Sequence, residues 1–351
     1  MWDQYFLFLL KSVTVVFAVV FVVAAVIGLV AQARQSQGGE GGLKPLRIRR
    51  LNEEVERRTR QLKKALEKPD EGVKARLRRL LERKGNKDED KAEAAPPTGA
   101  EAGAEGKETA RTFVLRFHGD IRASAVEALR EEVSAVLRVA RPGSDRVLLV
   151  LDSPGGVVPG YGLAATQLAR LRTADIELVA VVDRVAASGG YMMAAVANRI
   201  VAAPFAVVGS IGVVAQIPNI HRLLKENNVD VELHTAGQYK RTLTLLGENT
   251  EAGREKFREE LEQTHELFKS FLNRFRPQLD MEKLATGEHW LGEDALRLGL
   301  IDEIATSDDL IVEAVEQGEA FEITQPMKKR GVLGRLNASL QTALSEWRQP
   351  F

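Results

Sequence analysis

Between Lys11 and Arg34 the chain reads SVTVVFAVVFVVAAVIGLVAQA, without a charge and with almost no polar residue at helical spacing. As a helix this run is long enough for the roughly 30 Å hydrocarbon core of a bilayer. A helix on the surface of a soluble domain would show a polar stripe. A cleaved signal peptide would have a shorter apolar run, about 7–15 residues, behind a basic start, whereas the start here is MWDQYFLFLLK. The pattern predicts a short N-terminal segment, 1–11, and an uncleaved single-pass anchor over 12–33 in contact with membrane lipid.

Residues 34–110 change character. Leu51, Val55, Leu62 and Leu66 recur at helical spacing in RIRRLNEEVERRTRQLKKALEK before Pro69 interrupts. The heptads are not sustained, so a charged juxtamembrane stalk with short amphipathic helices is predicted rather than a coiled coil. From Asn86 to Thr109 only acids, lysines, small residues, prolines and a few polar residues remain. Such a stretch buries too little apolar surface to offset chain entropy and reads as a linker.

From Arg111 the pattern becomes short apolar runs separated by helical periodicity. TFVLRFHG, RVLLVLDSPGG, IELVAVVD, NRIVAAP, VVGSIGVV and VDVELHT read as buried strands. ASAVEALREEVSAVLRVA, YGLAATQLARLR, the long EAGREKFREELEQTHELFKSFLNRFR ending at Pro277, MEKLA and EDALRLGL read as helices. That alternation predicts one α/β domain with substantially parallel pairing over 111–322. A basic, weakly amphipathic tail, 323–351, completes the chain.

Composition narrows the chemistry. The 351 residues are 44% hydrophobic, enough for a real core, and lysine plus arginine balance aspartate plus glutamate at 49 each. No global field draws the chain to nucleic acid. Cysteine is absent, so a thiolate nucleophile, a thiolate metal site and a disulfide framework are all excluded. Reactive groups must be oxygen or nitrogen.

Three glycine turns adjoin predicted strands. In LDSPGG the backbone N–H groups of Gly155 and Gly156 are unencumbered, as an oxyanion site requires, although an ordinary strand-to-helix turn would use the same residues. The spacing and ending of a phosphate-binding P-loop are missing. In VAASGGYMM, Ser188 lies between a strand and a helix-compatible run, where unpaired N–H groups favour developing negative charge; a plain N-cap would look the same. In GSIGVV, Ser210, Ile211 and Gly212 suggest a strand edge open to another backbone. A serine nucleophile needs a base, and none of His118, His221, His234, His265 and His289 sits in a triad motif. Lysine is the other solution, provided burial and neighbours bring its amine towards neutrality. Lys240 in TAGQYKRTLTLLG, among Tyr239, Thr242 and Thr244, has the best context, although a surface lysine beside Arg241 would read similarly.

Taken in order, LDSPGG, VAASGGYMMA, GSIGVV, GQYKRTLT and GEHWLGEDALRLGLIDEI closely resemble the signal peptide peptidase A (protease IV) family of membrane serine peptidases, nearest to its SohB branch. The resemblance covers nearly the whole chain, least in the linker and tail. It implies a Clp-protease/crotonase-like fold and a serine endopeptidase without metal or organic cofactor. Ser188 would be the nucleophile and Lys240 the general base. The oxyanion hole would comprise the Gly189 amide and one from Gly155 or Gly156, and Ser210, Ile211 and Gly212 would pair with an extended polypeptide substrate.

Larger members carry two such domains in tandem. With one domain, self-association into a homo-oligomer is expected, and the resemblance to single-domain members implies that serine and lysine meet between neighbouring subunits. Basic residues after the anchor, from Arg34 to Arg50, favour a cytoplasmic position for the rest of the chain. The family resemblance implies instead a bacterial inner-membrane protein with a periplasmic catalytic domain, and that is the expectation adopted. Two alternatives are a crotonase-like acyl-CoA enzyme, which needs no serine nucleophile, and an inactive membrane scaffold.

Overall fold

The structure, a computed structural model, describes residues 45–67 and 109–325. The predicted anchor, the linker 86–108 and all but the first few residues of the tail lie outside them. Among the described residues no helix is long and apolar enough to cross a membrane.

The short apolar runs build a seven-stranded sheet. In chain order its strands are β1 (Arg47–Arg50), β2 (Arg111–His118), β3 (Arg146–Asp152), β4 (Glu177–Val182), β6 (Arg199–Ala202), β9 (Glu303–Ile304) and β10 (Glu319–Thr324). Their spatial order is β1-β10-β2-β3-β4-β6-β9. Every neighbouring pair is parallel except β1 with β10. A second, three-stranded sheet consists of β5 (Val185–Ala187), β7 (Val207–Gly209) and β8 (His289–Leu291), in the order β5-β7-β8. An isolated bridge from Ser153 to Ala186 joins the two sheets.

Successive side chains of a strand point to opposite faces, and here both faces are buried. Phe113, Leu115, Phe117, Val147, Leu149, Leu151, Leu178 and Ala180 enter one core. That core also holds residues of α2 (Val126–Val139), α3 (Val158–Thr173) and α4 (Gly189–Ala195). The intervening Val114, Leu148, Val150, Val179 and Val181 enter the other core, against α9 (Ser307–Gln317) and Leu51 of α1 (Leu51–Glu67). This is why the strands read as nearly continuous apolar runs. The remaining helices are α5 (His221–Glu226), α6 (Glu251–Phe275), α7 (Met281–Leu284) and α8 (Gly292–Arg297).

Besides VVGSIGVV, which was expected as one strand and is strand only over Val207–Gly209, three segments depart from the sequence reading. Arg47–Arg50, expected in the stalk, pairs with β10 in the register Arg47↔Thr324 to Arg50↔Phe321. Its charged pattern hides a strand because an edge strand can carry arginines, and Arg49 and Arg116 both reach the buried Glu322 carboxylate. Burial pushes Glu322 up, but hydrogen bonds from Arg116 and Arg49 outweigh it and hold the group below its ordinary value. Strand β10 itself runs on to Thr324, two residues into the expected tail. The third departure is a correction: VDVELHT forms no strand and is exposed throughout. Its alternation of Val229, Val231 and Leu233 with acids and histidine suits one buried face, but among the described residues no strand lies alongside to supply ladder hydrogen bonds. The three apolar side chains are 48%, 38% and 51% exposed.

Candidate active site

Strand β5 ends at Ala187 and helix α4 begins at Gly189, leaving Ser188 to make the whole corner. Its backbone takes φ 52° and ψ −120°, a conformation that L-residues rarely adopt and that persists only when the surroundings enforce it. Here they do. The Ser188 N–H donates to Gly209 O at 2.7 Å, and the Ser188 carbonyl accepts from Met192 N at 2.9 Å. Small residues are obligatory around it, since a Cβ on Gly189 would overlap the Tyr161 ring and one on Gly190 would lie 2.5 Å from Ser153 O. Ser188 is half-buried and its hydroxyl caps nothing. A half-buried serine on a strained strand-to-helix turn has the form of a nucleophile elbow.

The LDSPGG turn lies directly against this corner. Gly155 has φ +88°, and a Cβ there would stand 2.7 Å from Ala187 O, 2.8 Å from Ser188 Cβ and 2.9 Å from Gly189 N. Gly156 likewise has no room, because a Cβ would run into the Ile121 carbonyl. The two glycines differ as donors. The Gly155 N–H is used by Ser153 Oγ at 3.2 Å, whereas the Gly156 N–H makes no hydrogen bond among the described residues. The Gly189 N–H, first in its helix, has no intrahelical acceptor. Gly189 and Gly156 therefore carry N–H groups unused among the described residues, the first adjoining Ser188 and the second one residue past Gly155, which packs against Ser188.

A cluster that sequence reasoning missed stands behind the turn. Ser153 and Tyr161 are both fully buried, their oxygens are 2.7 Å apart, and the Tyr161 hydroxyl donates to Asp120 O at 2.8 Å. Burial raises the Tyr161 phenol above its ordinary value, with the Ser153 hydrogen bond opposing and the Asp120 charge adding to the rise. The available signal was a serine inside LDSPGG and a lone tyrosine early in the next helix.

Only the first residue of GSIGVV is strand. Strand β7 stops at Gly209; Ser210 takes φ 52° and donates its N–H to Glu288 O at 2.7 Å, and Ile211 O accepts from Gly287 N at 3.0 Å. The Ile211 side chain is fully buried, so only backbone is available to a passing strand at that residue. A Cβ on Gly212 would lie 3.1 Å from Gly287 Cα.

Lys240 has a different setting. It is exposed, in a turn closed by its N–H on Gly237 O at 3.2 Å, and its neighbour Tyr239 lies under the Lys256 ammonium at 5.3 Å. No hydrogen bond joins it to Ser188 within the described chain. The histidines are no nearer to a role as base: His118 lies 3.4 Å from Asp152, His234 is exposed beside Glu232, and none bonds to Ser188. Among the described residues no three histidine, aspartate or glutamate side chains cluster as metal ligands would.

Comparison with known proteins matches residues 170–320 to peptidase family S49 and residues 1–168 to the peptidase family S49 N-terminal region. The "Probable protease SohB" of Haemophilus influenzae is 59% identical over 225 residues, 64% of each chain. The protein of the same name from Buchnera aphidicola subsp. Acyrthosiphon pisum is 55% identical over 236 residues, 67% of this chain and 70% of that one. The match thus spans somewhat under two thirds of the Haemophilus protein. Among solved structures, a mutant membrane-bound stomatin-specific protease aligns at 14% identity over 60% of this chain and 85% of that chain, with a TM-score of 0.39.

Proposed function

The chain belongs to peptidase family S49, on the branch of the SohB proteins, and from that premise we propose that it is a membrane-anchored serine endopeptidase working through a Ser188/Lys240 dyad on a Clp-protease/crotonase-like fold. The observation that carries this reading is the backbone of Ser188, held at φ 52° and ψ −120° between glycine sites with no room for a side chain. Such strain at a half-buried hydroxyl suits a nucleophile and is unnecessary for a packing serine.

In the proposed cycle the unprotonated amine of Lys240 takes the proton from Ser188 Oγ as that oxygen bonds to the scissile carbonyl carbon. The former carbonyl oxygen becomes an oxyanion, accepting from the N–H groups of Gly189 and Gly156. Collapse breaks the C–N bond; the amine leaves with the proton held by Lys240, and Ser188 is left acylated. Water then gives a proton to Lys240 as its oxygen attacks the ester. The second tetrahedral species expels Ser188 Oγ, which regains that proton, and the new carboxylic product departs.

Because Lys240 is exposed and unpaired with Ser188 in its own chain, the reading includes a homo-oligomer in which the lysine of one subunit serves the serine of the next. Substrates are unfolded or signal-peptide-like polypeptides added as a strand beside Ser210–Gly212. The proposed setting is a bacterial inner membrane, spanned once by residues 12–33, with the catalytic domain on the periplasmic side.

A fluorophosphonate probe applied to the full chain in detergent tests the central claim. Wild type is expected to be labelled on Ser188, and Ser188→Ala to be unlabelled and inactive on peptides. Coenzyme A binding without serine labelling would turn the assignment towards a crotonase-like acyl-CoA enzyme. Normal function of Ser188→Ala in cells would indicate a scaffold.

A further inference from the structure

We infer that Tyr161 is a positioning residue for the oxyanion site, holding both of its backbone donors through one side chain. The inference rests on the peptidase reading above and concerns how the fold keeps two glycine turns in register.

Donor chemistry fixes the direction of the buried hydrogen bonds. A carbonyl oxygen can only accept, so the contact to Asp120 O uses the single hydroxyl proton of Tyr161. The 2.7 Å contact between Ser153 Oγ and Tyr161 Oη must then carry the proton of Ser153. Ser153 Oγ keeps its lone pairs, and one accepts from the Gly155 N–H at 3.2 Å. The chain therefore runs one way: Gly155 N–H to Ser153, Ser153 to Tyr161, Tyr161 to the Asp120 carbonyl. Every proton has one place to go, and neither side chain has access to water. The relay fixes the orientation of the peptide unit that ends in Gly155 N. The next unit carries the free Gly156 N–H.

The ring of the same tyrosine does the second task. It occupies the space a Cβ on Gly189 would need, and it packs edge-on with Phe117 at a centroid distance of 6.3 Å and an interplanar angle of 69°. The hydroxyl thus sets one turn and the ring sets the other. Gly119 completes the device, since any side chain there would enter the space of Ser153 Oγ and the Tyr161 hydroxyl.

The test uses the full chain in detergent with Tyr161→Phe, Ser153→Ala and the double variant. Both single changes preserve the ring beside Gly189. Each is expected to lower kcat by about 10- to 100-fold, less than the outright loss of an oxyanion donor, with KM within about twofold of wild type. Affinity for a peptide aldehyde, whose hemiacetal oxygen occupies the oxyanion position, should fall by the same factor as kcat/KM. Links in series fail together, so the double variant should be no slower than the worse single one. An unchanged kcat in both single variants, or losses that multiply in the double one, would overturn the relay. If Tyr161→Phe does not fold, the kcat and aldehyde affinity of Ser153→Ala decide the question alone. Absence of fluorophosphonate labelling in wild type would instead sink the nucleophile assignment, so the two failures are distinct.

Discussion

The surroundings of Ser188 and those of Lys240 are built on different principles. Around Ser188 the chain leaves no freedom: Gly155, Gly156, Gly189 and Gly190 each lie against backbone or ring atoms, and the strand that leads in and the helix that leads out are both buried. Around Lys240 the same chain supplies little. Residues 229–241 are exposed and without regular structure, and apolar side chains such as Leu233 at 51% and Tyr239 at 53% face outward. Order returns only past the lysine, where Asn219 and Asn249 hold Thr244 O and Thr244 N. One half of the proposed dyad is fixed by its own fold, and the other, within its own chain, is left exposed.

The strongest way to break this contrast is at Lys240. If the residue acts as a base, Lys240→Arg should lose about 10²- to 10⁴-fold in kcat/KM, nearly as much as Lys240→Ala, because a guanidinium does not give up its proton near neutral pH. Substantial turnover by the arginine variant in a peptide-cleavage assay would show that charge alone is needed. A somewhat smaller effect is expected from co-expressing Ser188→Ala with Lys240→Ala. Each parent is inactive, but random mixing puts both intact partners at about a quarter of the junctions of a ring, and activity should return on that scale. Verified mixed oligomers without activity would place both dyad residues in one subunit.

The same substitution can also be made in both halves. Gly189→Ala forces a methyl into the Tyr161 ring and should destabilise the fold by about 1–3 kcal/mol, together with loss of activity. Gly237→Ala meets nothing closer than Lys240 Cβ at 3.9 Å. Only its φ of +102° resists, at about 1–2 kcal/mol, and in an exposed segment little of that should reach the global melting temperature. Equal shifts in Tm would erase the distinction between the halves.

The smallest effect lies wholly within the packed half and is read by pH. Burial pushes the Glu132 carboxyl up to about 7, against a lowering hydrogen bond from Gln325 N. A raised folded value means that the native state holds its proton where the unfolded chain has lost it. The contribution is fully present below the ordinary carboxylate range and is lost as pH rises through about 7. Glu132→Gln should therefore gain on wild type by about 4 °C in Tm between roughly pH 5 and pH 8. A constant difference across that window would refute the assignment.

The contrast also explains what the sequence could disclose. Strands β2, β3, β4 and β6 were legible because burial on both faces leaves a short, nearly continuous apolar run bounded by polar or turn residues. The Ser188 corner was legible because only small residues fit it. Strand β1 was not, since an arginine-rich edge strand looks like a charged stalk until Glu322 is seen between Arg49 and Arg116. VDVELHT failed in the opposite sense: the local pattern was right for a strand, but strand formation depends on a partner that the pattern cannot supply. The Ser153–Tyr161 relay joins two residues through directions of hydrogen bonds, and residue type alone carries no direction.

Strand β1 and the first residues of α1 have one more consequence, for the way the molecule comes apart. Four residue pairs zip β1 to β10, Leu51 plugs the core beneath, and Asn52 clasps the chain at Val315, Gly318 and Ala320. A protease that nicks the charged stretch between Glu67 and Thr109 would therefore cut the covalent thread without unfastening the domain. The N-terminal piece would stay on as a non-covalent clip, released only when the β10 edge opens.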